Sequence, residues 1–282
     1  MAFNGKPVLV ATDLSARCDR AVDRAATLAR YWRTRLKVVH VLEPGAKTKD
    51  NIKLAEEAVR AILPDPEADV DILLPVGRAP ETIARTANET SSGIIVTGVA
   101  RYNDITDYFL GTAVDYVIRN ASVPVLVVKQ RLRGPYRRLL VATDFSDCSR
   151  RALLVAAELF PEASVHLVHA YHVPYETWLN SERGRREIQE DVQRNLDDFL
   201  NHPSLPKDLR ERINVKLDYG ETAAVVAKAL ADTDAELIVL GTRGHNSLGH
   251  ATLGSTAESL LSWVEPDTLM VGEPKPATSD RP

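Results

Sequence analysis

Residues 8–13 read VLVATD, and nearly the same stretch returns at residues 139–144 as LLVATD. In both places a serine follows two residues after the aspartate. A pair of glycines repeats as well: Gly98 and Gly111 correspond to Gly241 and Gly254. Self-similarity at this scale indicates duplication of a whole domain. We therefore predict two homologous domains, at residues 1–130 and 135–275.

Short apolar runs alternate with segments of helical periodicity in each copy. The predicted strands are 7–12, 36–42, 70–76, 93–98 and 123–129, then 138–143, 165–170, 213–217, 237–241 and 268–271. Continuous apolar runs are typical of parallel sheets that are covered on both faces, and strand–helix alternation builds βαβ units. The prediction is an α/β fold with two doubly wound five-stranded parallel-sheet domains and helices on both faces. In such sheets ligands bind at the carboxyl ends of the strands, where the winding direction reverses.

Composition and charge exclude several classes of protein. Of the 282 residues, 44% are hydrophobic and 26% are charged, which is typical of globular chains. Residues 1–130 carry a net charge of +1 and residues 131–282 a net charge of −5, so neither half has the basic character of a nucleic-acid binder. The apolar runs fall far short of the ~20 residues that cross a bilayer, and the first residues do not resemble a signal peptide. We expect a cytoplasmic protein that binds neither nucleic acid nor membrane, with Cys18 and Cys148 reduced.

The segment from Gly241 to Thr256 has the clearest ligand-binding pattern. It follows a predicted strand and precedes a predicted helix over 255–261. Glycines let backbone N–H groups approach an anion closely, and a helix N-terminus favours negative charge. Phosphates would be held here by backbone amides, by hydroxyl groups and by Arg243 or His245.

The spacing of Gly241, Gly244, Gly254 and Ser255 resembles the ATP-binding signature of the universal stress protein family. The resemblance covers both copies and includes the Thr-Asp ending of the first strand. It implies an adenine-nucleotide site for ATP with Mg²⁺. The positions that it assigns to the ligand are Thr143, Asp144 and Ala170 at the adenine and ribose, Leu240, Gly241 and Gly244 at the ribose and phosphates, and Gly254, Ser255 and Thr256 at the phosphates.

The first copy departs from this signature because Arg101 stands where the second glycine belongs. Its weaker counterparts of the site residues are Thr12, Asp13, Val41, Gly98, Gly111 and Thr112. The arginine either fills the pocket or directs its guanidinium at the phosphates. We predict weakened or absent ATP binding in the first domain.

The leading functional hypothesis is an ATP-binding, nucleotide-responsive regulator in the stress response. One alternative is a slow ATPase with weak hydrolysis at most, for which Asp144 and His245 are the candidate groups. Another is a binding scaffold for a non-nucleotide ligand or a protein partner. No metal site is expected at His166, His169 and His172, because residues three apart on a strand face opposite sides.

The resemblance also implies that the two domains pair through their fifth strands as an intramolecular pseudo-dimer. An apolar edge strand needs a partner. Residues 123–128 fit this role well, and residues 267–271 fit it less well. A homodimer of tandem chains is compatible with the same pattern.

Overall fold

The computed structural model describes residues 3, 5–44, 49–99, 112–171, 182–244 and 253–273. The first half contains β1 (Val8–Ala11), α1 (Asp19–Tyr31), β2 (Leu36–Val39), α2 (Lys49–Ala61), β3 (Asp71–Leu73), α3 (Ala79–Glu89), β4 (Ile94–Gly98), α4 (Thr112–Asn120) and β5 (Val125–Val128). The second half contains β6 (Arg138–Ala142), α5 (Asp147–Leu159), β7 (Ser164–Tyr171), α6 (Glu182–Leu200), α7 (Lys207–Arg212), β8 (Ile213–Tyr219), α8 (Thr222–Thr233), β9 (Leu237–Gly241), α9 (Ser255–Trp263) and β10 (Asp267–Val271).

These strands form a single sheet with the order β3-β2-β1-β4-β5-β10-β9-β6-β7-β8. Inside each half the paired strands are parallel, which confirms the predicted doubly wound α/β architecture. The chain winds outward from β1 through β2 to β3, and then returns to the other side of β1 with β4. The second half repeats this path around β6. The winding direction therefore reverses between β1 and β4 and again between β6 and β9, which marks these two positions as candidate ligand sites.

Helices cover both faces of the sheet, and neighbouring residues on a strand enter different core layers. Val8 and Val10 pack in one layer with Leu28 of α1, whereas Leu9 packs in the other layer with Val117 of α4. The three strand residues are fully buried. This two-sided burial explains why β1 is a continuous apolar run rather than an alternating one.

The second half carries an insertion between β7 and β8, so that this connection forms α6 and α7 where the first half has α2 alone. The charged amphipathic pattern of residues 187–198 predicts a helix, and these residues lie within α6. Its Leu196 and Phe199 are buried in the core, together with Leu209 of α7. The insertion thus extends the core layer on the α1 and α5 side of the sheet.

The two halves join edge to edge through their fifth strands, as the resemblance implies. β5 and β10 are antiparallel, with Val125 opposite Met270 and Val127 opposite Thr268. The chain therefore supplies both halves of its own pseudo-dimer. We call this junction the seam.

The fully buried carboxylate of Asp267 makes hydrogen bonds and an ion pair across the seam. Its Oδ1 accepts hydrogen bonds from the backbone N–H groups of Lys129 (2.7 Å) and Gln130 (2.8 Å). Its Oδ2 accepts a short hydrogen bond from the Tyr136 hydroxyl and lies 3.4 Å from Nη2 of Arg24. Arg24, Lys129 and Gln130 lie in the first half of the chain, and Tyr136 lies just before β6. Asp267 is thus a hub across the seam.

The side chain of Lys129 is buried beside this hub. Its Nζ donates to the carbonyl oxygens of Leu261 and Val264 at the end of α9, each at 2.7 Å. Burial lowers the pKa of Lys129 to about 7, although the charge of Asp267 acts in the opposite direction. The first half of the chain thereby holds the C-terminal end of a helix in the second half.

Candidate functional site

A cavity of about 670 Å³ opens where β6 and β9 end. It is lined by almost all of the residues that the sequence assigned to the second domain's site: Thr143, Asp144, Ala170, Leu240, Gly241, Arg243, Gly244, Gly254, Ser255 and Thr256. His245 lies outside the described residues. The structure therefore brings the described members of the predicted set together around one space. Their contact with a ligand remains a prediction.

A tight turn after β6 presents Asp144 to the cavity. The hydroxyl of Thr143 accepts a hydrogen bond from the backbone N–H of Phe145 (2.9 Å), and Oδ1 of Asp144 accepts one from that of Ser146 (3.1 Å). Phe145 adopts a left-handed conformation with φ of 63°. A non-glycine residue rarely takes this conformation, so the hydrogen bonds around it must hold the turn. The carboxylate of Asp144 is consequently fixed at the rim rather than carried on a loose loop.

His169 on β7 supports the same turn. Its Nδ1 lies 2.8 Å from the carbonyl oxygen of Thr143, so that nitrogen donates its proton there. Its ring packs against that of Phe145 with centroids 4.1 Å apart. Burial lowers the pKa of His169, while the Thr143 hydrogen bond and the charge of Asp144 oppose that shift. A neutral, hydrogen-bonded histidine in this position shapes the site.

Two glycines allow close approach at the end of β9. A Cβ atom on Gly244 would stand 2.5 Å from Oδ2 of Asp144, closer than side-chain atoms can pack. A Cβ on Gly241 would stand 3.1–3.2 Å from atoms of Cys148 and Ser149 at the start of α5. Glycine at 244 is therefore what lets the loop after β9 lie directly against the carboxylate at the end of β6.

The N-terminus of α9 faces the cavity and has no side-chain cap. Gly254 is the N-cap residue, and its own N–H donates to the carbonyl oxygen of Thr242 at 2.9 Å. The following N–H groups, at the first helical positions Ser255 and Thr256, have no acceptor within the helix, because the first turn of an α-helix leaves its donors unpaired. Their side chains are exposed. Donors and hydroxyls in this arrangement suit an anion.

Among the described residues of the cavity lining, Arg243 is the cation, and it already has a counter-ion. Its Nη1 lies 3.0 Å from Oε2 of Glu273, just beyond β10. The Arg243 side chain is largely buried, whereas that of Glu273 is half exposed. A phosphate that approached Arg243 would have to share it with this carboxylate.

The first half contains a copy of the Thr-Asp turn. The N–H of Leu14 donates to the hydroxyl of Thr12 (3.0 Å), and that of Ser15 donates to Oδ1 of Asp13 (2.9 Å). Leu14 repeats the left-handed conformation, with φ of 64°, and His40 Nδ1 lies 3.1 Å from the Thr12 carbonyl oxygen.

The remaining first-half counterparts are less completely described. Val41 is half-buried, and Gly98 ends β4, where a Cβ would stand 3.1 Å from the carbonyl oxygen of Arg17. Thr112 begins α4. Arg101 and Gly111, on which the competence of this copy depends, lie outside the described residues.

Several lining residues were missed by sequence reasoning. They are Ala142, Ser149, His169, Thr222, Leu253, Ala257 and Leu260. Ser149 shares a 2.8 Å hydrogen bond with the hydroxyl of Thr143, and Leu253 is buried just before α9. These residues are buried or hold other residues of the site in place, and no spacing pattern in the sequence reveals such roles.

Across the described ranges, no group of three or more His, Cys, Asp or Glu side chains converges to hold a metal ion. None of the helices within those ranges is long and apolar enough to cross a membrane.

Comparisons with known proteins agree with the repeat. The model of the universal stress protein family matches residues 5–129 and again residues 135–272. Universal stress protein E homolog of Haemophilus influenzae is 27% identical over 186 residues, which are 60% of this chain and 58% of that relative. The match thus spans little more than half of that relative's length. A universal stress protein of Thermus aquaticus is 29% identical over 143 residues, which are 48% of this chain and 98% of the relative.

A solved structure shares the fold over nearly the whole chain. It is a functionally unknown protein from Pseudomonas aeruginosa PAO1, with a TM-score of 0.70 and 18% identity. The similarity covers 95% of this chain and 92% of that chain.

Proposed function

The chain belongs to the universal stress protein family, and we propose that its second half binds an adenine nucleotide, ATP with Mg²⁺, as a nucleotide-responsive regulator in the stress response. One observation carries the proposal. The loop after β9 lies against Asp144 at Gly244, where a Cβ atom would displace the carboxylate, and the uncapped start of α9 lies across the same cavity. This arrangement combines a carboxylate acceptor with an anion-binding helix end.

The phosphates would lie at the N-terminus of α9. Backbone N–H groups of the first turn and the hydroxyls of Ser255 and Thr256 supply the donors there. The partial positive charge of a helix N-terminus stabilises an anion by roughly 0.3–1 kcal/mol, and by up to ~2 kcal/mol where the site is partly buried. Arg243 adds a guanidinium whose charge is shared with Glu273.

The nucleoside would lie between β6, β7 and β9. Ala170 and Leu240 offer apolar surface for a base, and Asp144 offers a carboxylate that accepts from ribose hydroxyl groups. A cavity of about 670 Å³ is of the size that holds a cofactor-sized ligand. We place Ala142 and Thr222 in the same lining.

We propose binding rather than turnover. Asp144 is the one carboxylate in the described cavity lining, and His169 is occupied with the Thr143 carbonyl. Rapid hydrolysis needs a water held in line and a group that orients it. Mg²⁺ would arrive on the phosphates, where it neutralises charge. In the first half we propose weak or absent ATP binding, because Arg101 replaces the glycine that approaches the carboxylate in the second half.

The test is a matched pair of substitutions on α9. Ser255→Asp places a carboxylate among the expected phosphate donors, and Ser259→Asp places one further along the same helix at another exposed position. An acid in the first turn stabilises a helix by roughly 0.3–1 kcal/mol, so Ser255→Asp should leave the fold intact. In a titration with Mg-ATP, we expect Ser255→Asp to weaken binding by at least about tenfold, the effect of losing one charge-assisted interaction.

The control variant Ser259→Asp should bind as the wild type does. Thermal unfolding gives an independent readout, because ATP at 100 times its dissociation constant stabilises a fold by about 2.7 kcal/mol. Equal binding by both variants would place the phosphates elsewhere. Absence of ATP binding by the wild-type protein would remove the proposal altogether.

A further inference from the structure

A second cavity, of about 650 Å³, lies at the seam. Its lining includes Arg24 of α1, the connecting residues 130–131 and 133–135, and Trp263 at the end of α9. It also includes residues just before β6, β9 and β10, so it opens at the opposite end of these strands from the candidate nucleotide cavity. We call it the seam cavity. Because both halves contribute to it, a single domain of this fold would lack it.

One wall of the seam cavity is apolar. Ala227, Leu230 and Ala231 of α8 form it, with the half-buried indole of Trp263 and the ring of Pro266. A wall that consists of small side chains and an indole suits a planar apolar body. Aromatic groups gain further energy by packing against such a ring.

Two buried N–H donors on the lining side chains lack acceptors. Nε of Arg24 and Nε1 of Trp263 have no hydrogen-bond partner among the residues that the structure describes. Arg24 is 4% exposed, and its other nitrogens are engaged by the Gly134 carbonyl oxygen (2.7 Å) and by Asp267. A buried donor without an acceptor costs roughly 1–3 kcal/mol. Both nitrogens are covered by neighbouring protein atoms, so a water or a ligand oxygen would reach them only if side chains of the lining shifted.

The charges around the seam cavity favour an anion of low charge. Asp234 and Glu236 are both paired with Arg138, at 3.0 and 3.1 Å. Arg131 and Arg133 are exposed and make no ion pair within the described ranges. These two guanidinium groups outnumber the one remaining acid of the lining, Glu265.

We propose that the seam cavity binds a small organic anion with a planar apolar body and one acidic group, such as an aromatic carboxylate. The planar body would pack on Trp263 and the α8 wall, and the acidic group would meet Arg131 and Arg133. A triphosphate is disfavoured, because Asp234, Glu236 and Glu265 would lie near its additional charges. The seam cavity and the nucleotide cavity would then be occupied independently.

The test uses a pair of fluorescent probes that differ in charge. 8-Anilinonaphthalene-1-sulfonate is an anion with an aromatic body, and N-phenyl-1-naphthylamine is its uncharged counterpart. The full-length protein is titrated with each probe, once without nucleotide and once with excess Mg-ATP. We expect one saturable site for the anionic probe, and we expect Arg131→Ala with Arg133→Ala to weaken it at least about tenfold, the factor that one charge-assisted hydrogen bond supplies.

Two controls distinguish binding in the seam cavity from nonspecific binding of the probe. Arg85→Ala with Arg194→Ala removes two exposed arginines on α3 and α6, and it should change binding by less than about twofold, as surface charges far from a site do. The uncharged probe should bind equally to the wild type and to the Arg131/Arg133 variant. The proposal fails if the anionic probe does not saturate, if Mg-ATP displaces it, or if the two double variants behave alike.

Discussion

Replacing Asp267 by alanine should destabilise the whole chain, because one carboxylate holds the seam. The substitution removes the acceptor of the Lys129 and Gln130 amides and of the Tyr136 hydroxyl, and it leaves Arg24 buried without its counter-ion. Breaking a buried ion pair by removing one partner costs about 3–5 kcal/mol. The separate hydrogen bonds are not added to this figure, because groups in one network are strongly coupled. For a chain of this size we expect the midpoint of thermal unfolding to fall by roughly 6–10 °C, at about 2 °C per kcal/mol.

The assay is urea unfolding followed by far-ultraviolet circular dichroism, with thermal unfolding beside it. The matched control is Asp69→Ala, since Asp69 also pairs with an arginine (Arg35, 3.1 Å) but its side chain is 86% exposed. Exposed pairs contribute roughly 0–1 kcal/mol. Asp267→Asn should fall between the two, because it retains one acceptor oxygen without the charge. If Asp267→Ala unfolds within about 1 kcal/mol of Asp69→Ala, the buried hub does not hold the seam and this reasoning is refuted.

Three further predictions concern single side chains. Gly244→Ala should weaken Mg-ATP binding at least about tenfold, because the new Cβ atom would displace Asp144. Gly272→Ala is the control, since its Cβ atom would meet Thr242 at an ordinary 3.4 Å, and it should leave binding unchanged. Calorimetric titration compares the two variants. Burial lowers the pKa of Lys129 to about 7, from 10.5, so the unfolded state binds more protons than the folded state between these two pH values. The free energy of unfolding should therefore rise with pH, by up to about 1.4 kcal/mol per pH unit. Urea unfolding from pH 7 to 10 should show this rise in the wild type and not in Lys129→Met. Burial, with the nearby Asp13 carboxylate, raises the pKa of Cys18 to about 11, so alkylation of Cys18 by iodoacetamide should stay slow at pH 8 and accelerate only well above it, and acceleration near pH 8 would contradict this.

The sheet and its switch points could be predicted from the repeat. VLVATD and LLVATD each contain the apolar residues of a central strand, and the aspartate of each follows that strand where the winding reverses. The glycine spacing likewise led to the cavity at β6 and β9. These features are encoded locally, since a few adjacent residues determine each turn or helix start.

The resemblance implied that the fifth strands pair, but the buried contacts that stabilise the seam could not be predicted from local sequence. Residues 267–271 fit an apolar edge poorly as a sequence because they begin with a carboxylate. In the fold Asp267 is fully buried and satisfied by partners more than a hundred residues away along the chain. Arg243 gives a second case, since its counter-ion Glu273 belongs to a strand end that no local pattern connects with it. Contacts across such distances appear only when the chain is folded.

The number of Mg-ATP molecules bound per chain tests the central claim most directly. Calorimetric titration of nucleotide-free, full-length protein measures it without any substitution. Our account predicts one equivalent per chain, bound in the second half where Gly244 lies against Asp144. No binding, or two equivalent sites with the same affinity, would contradict it.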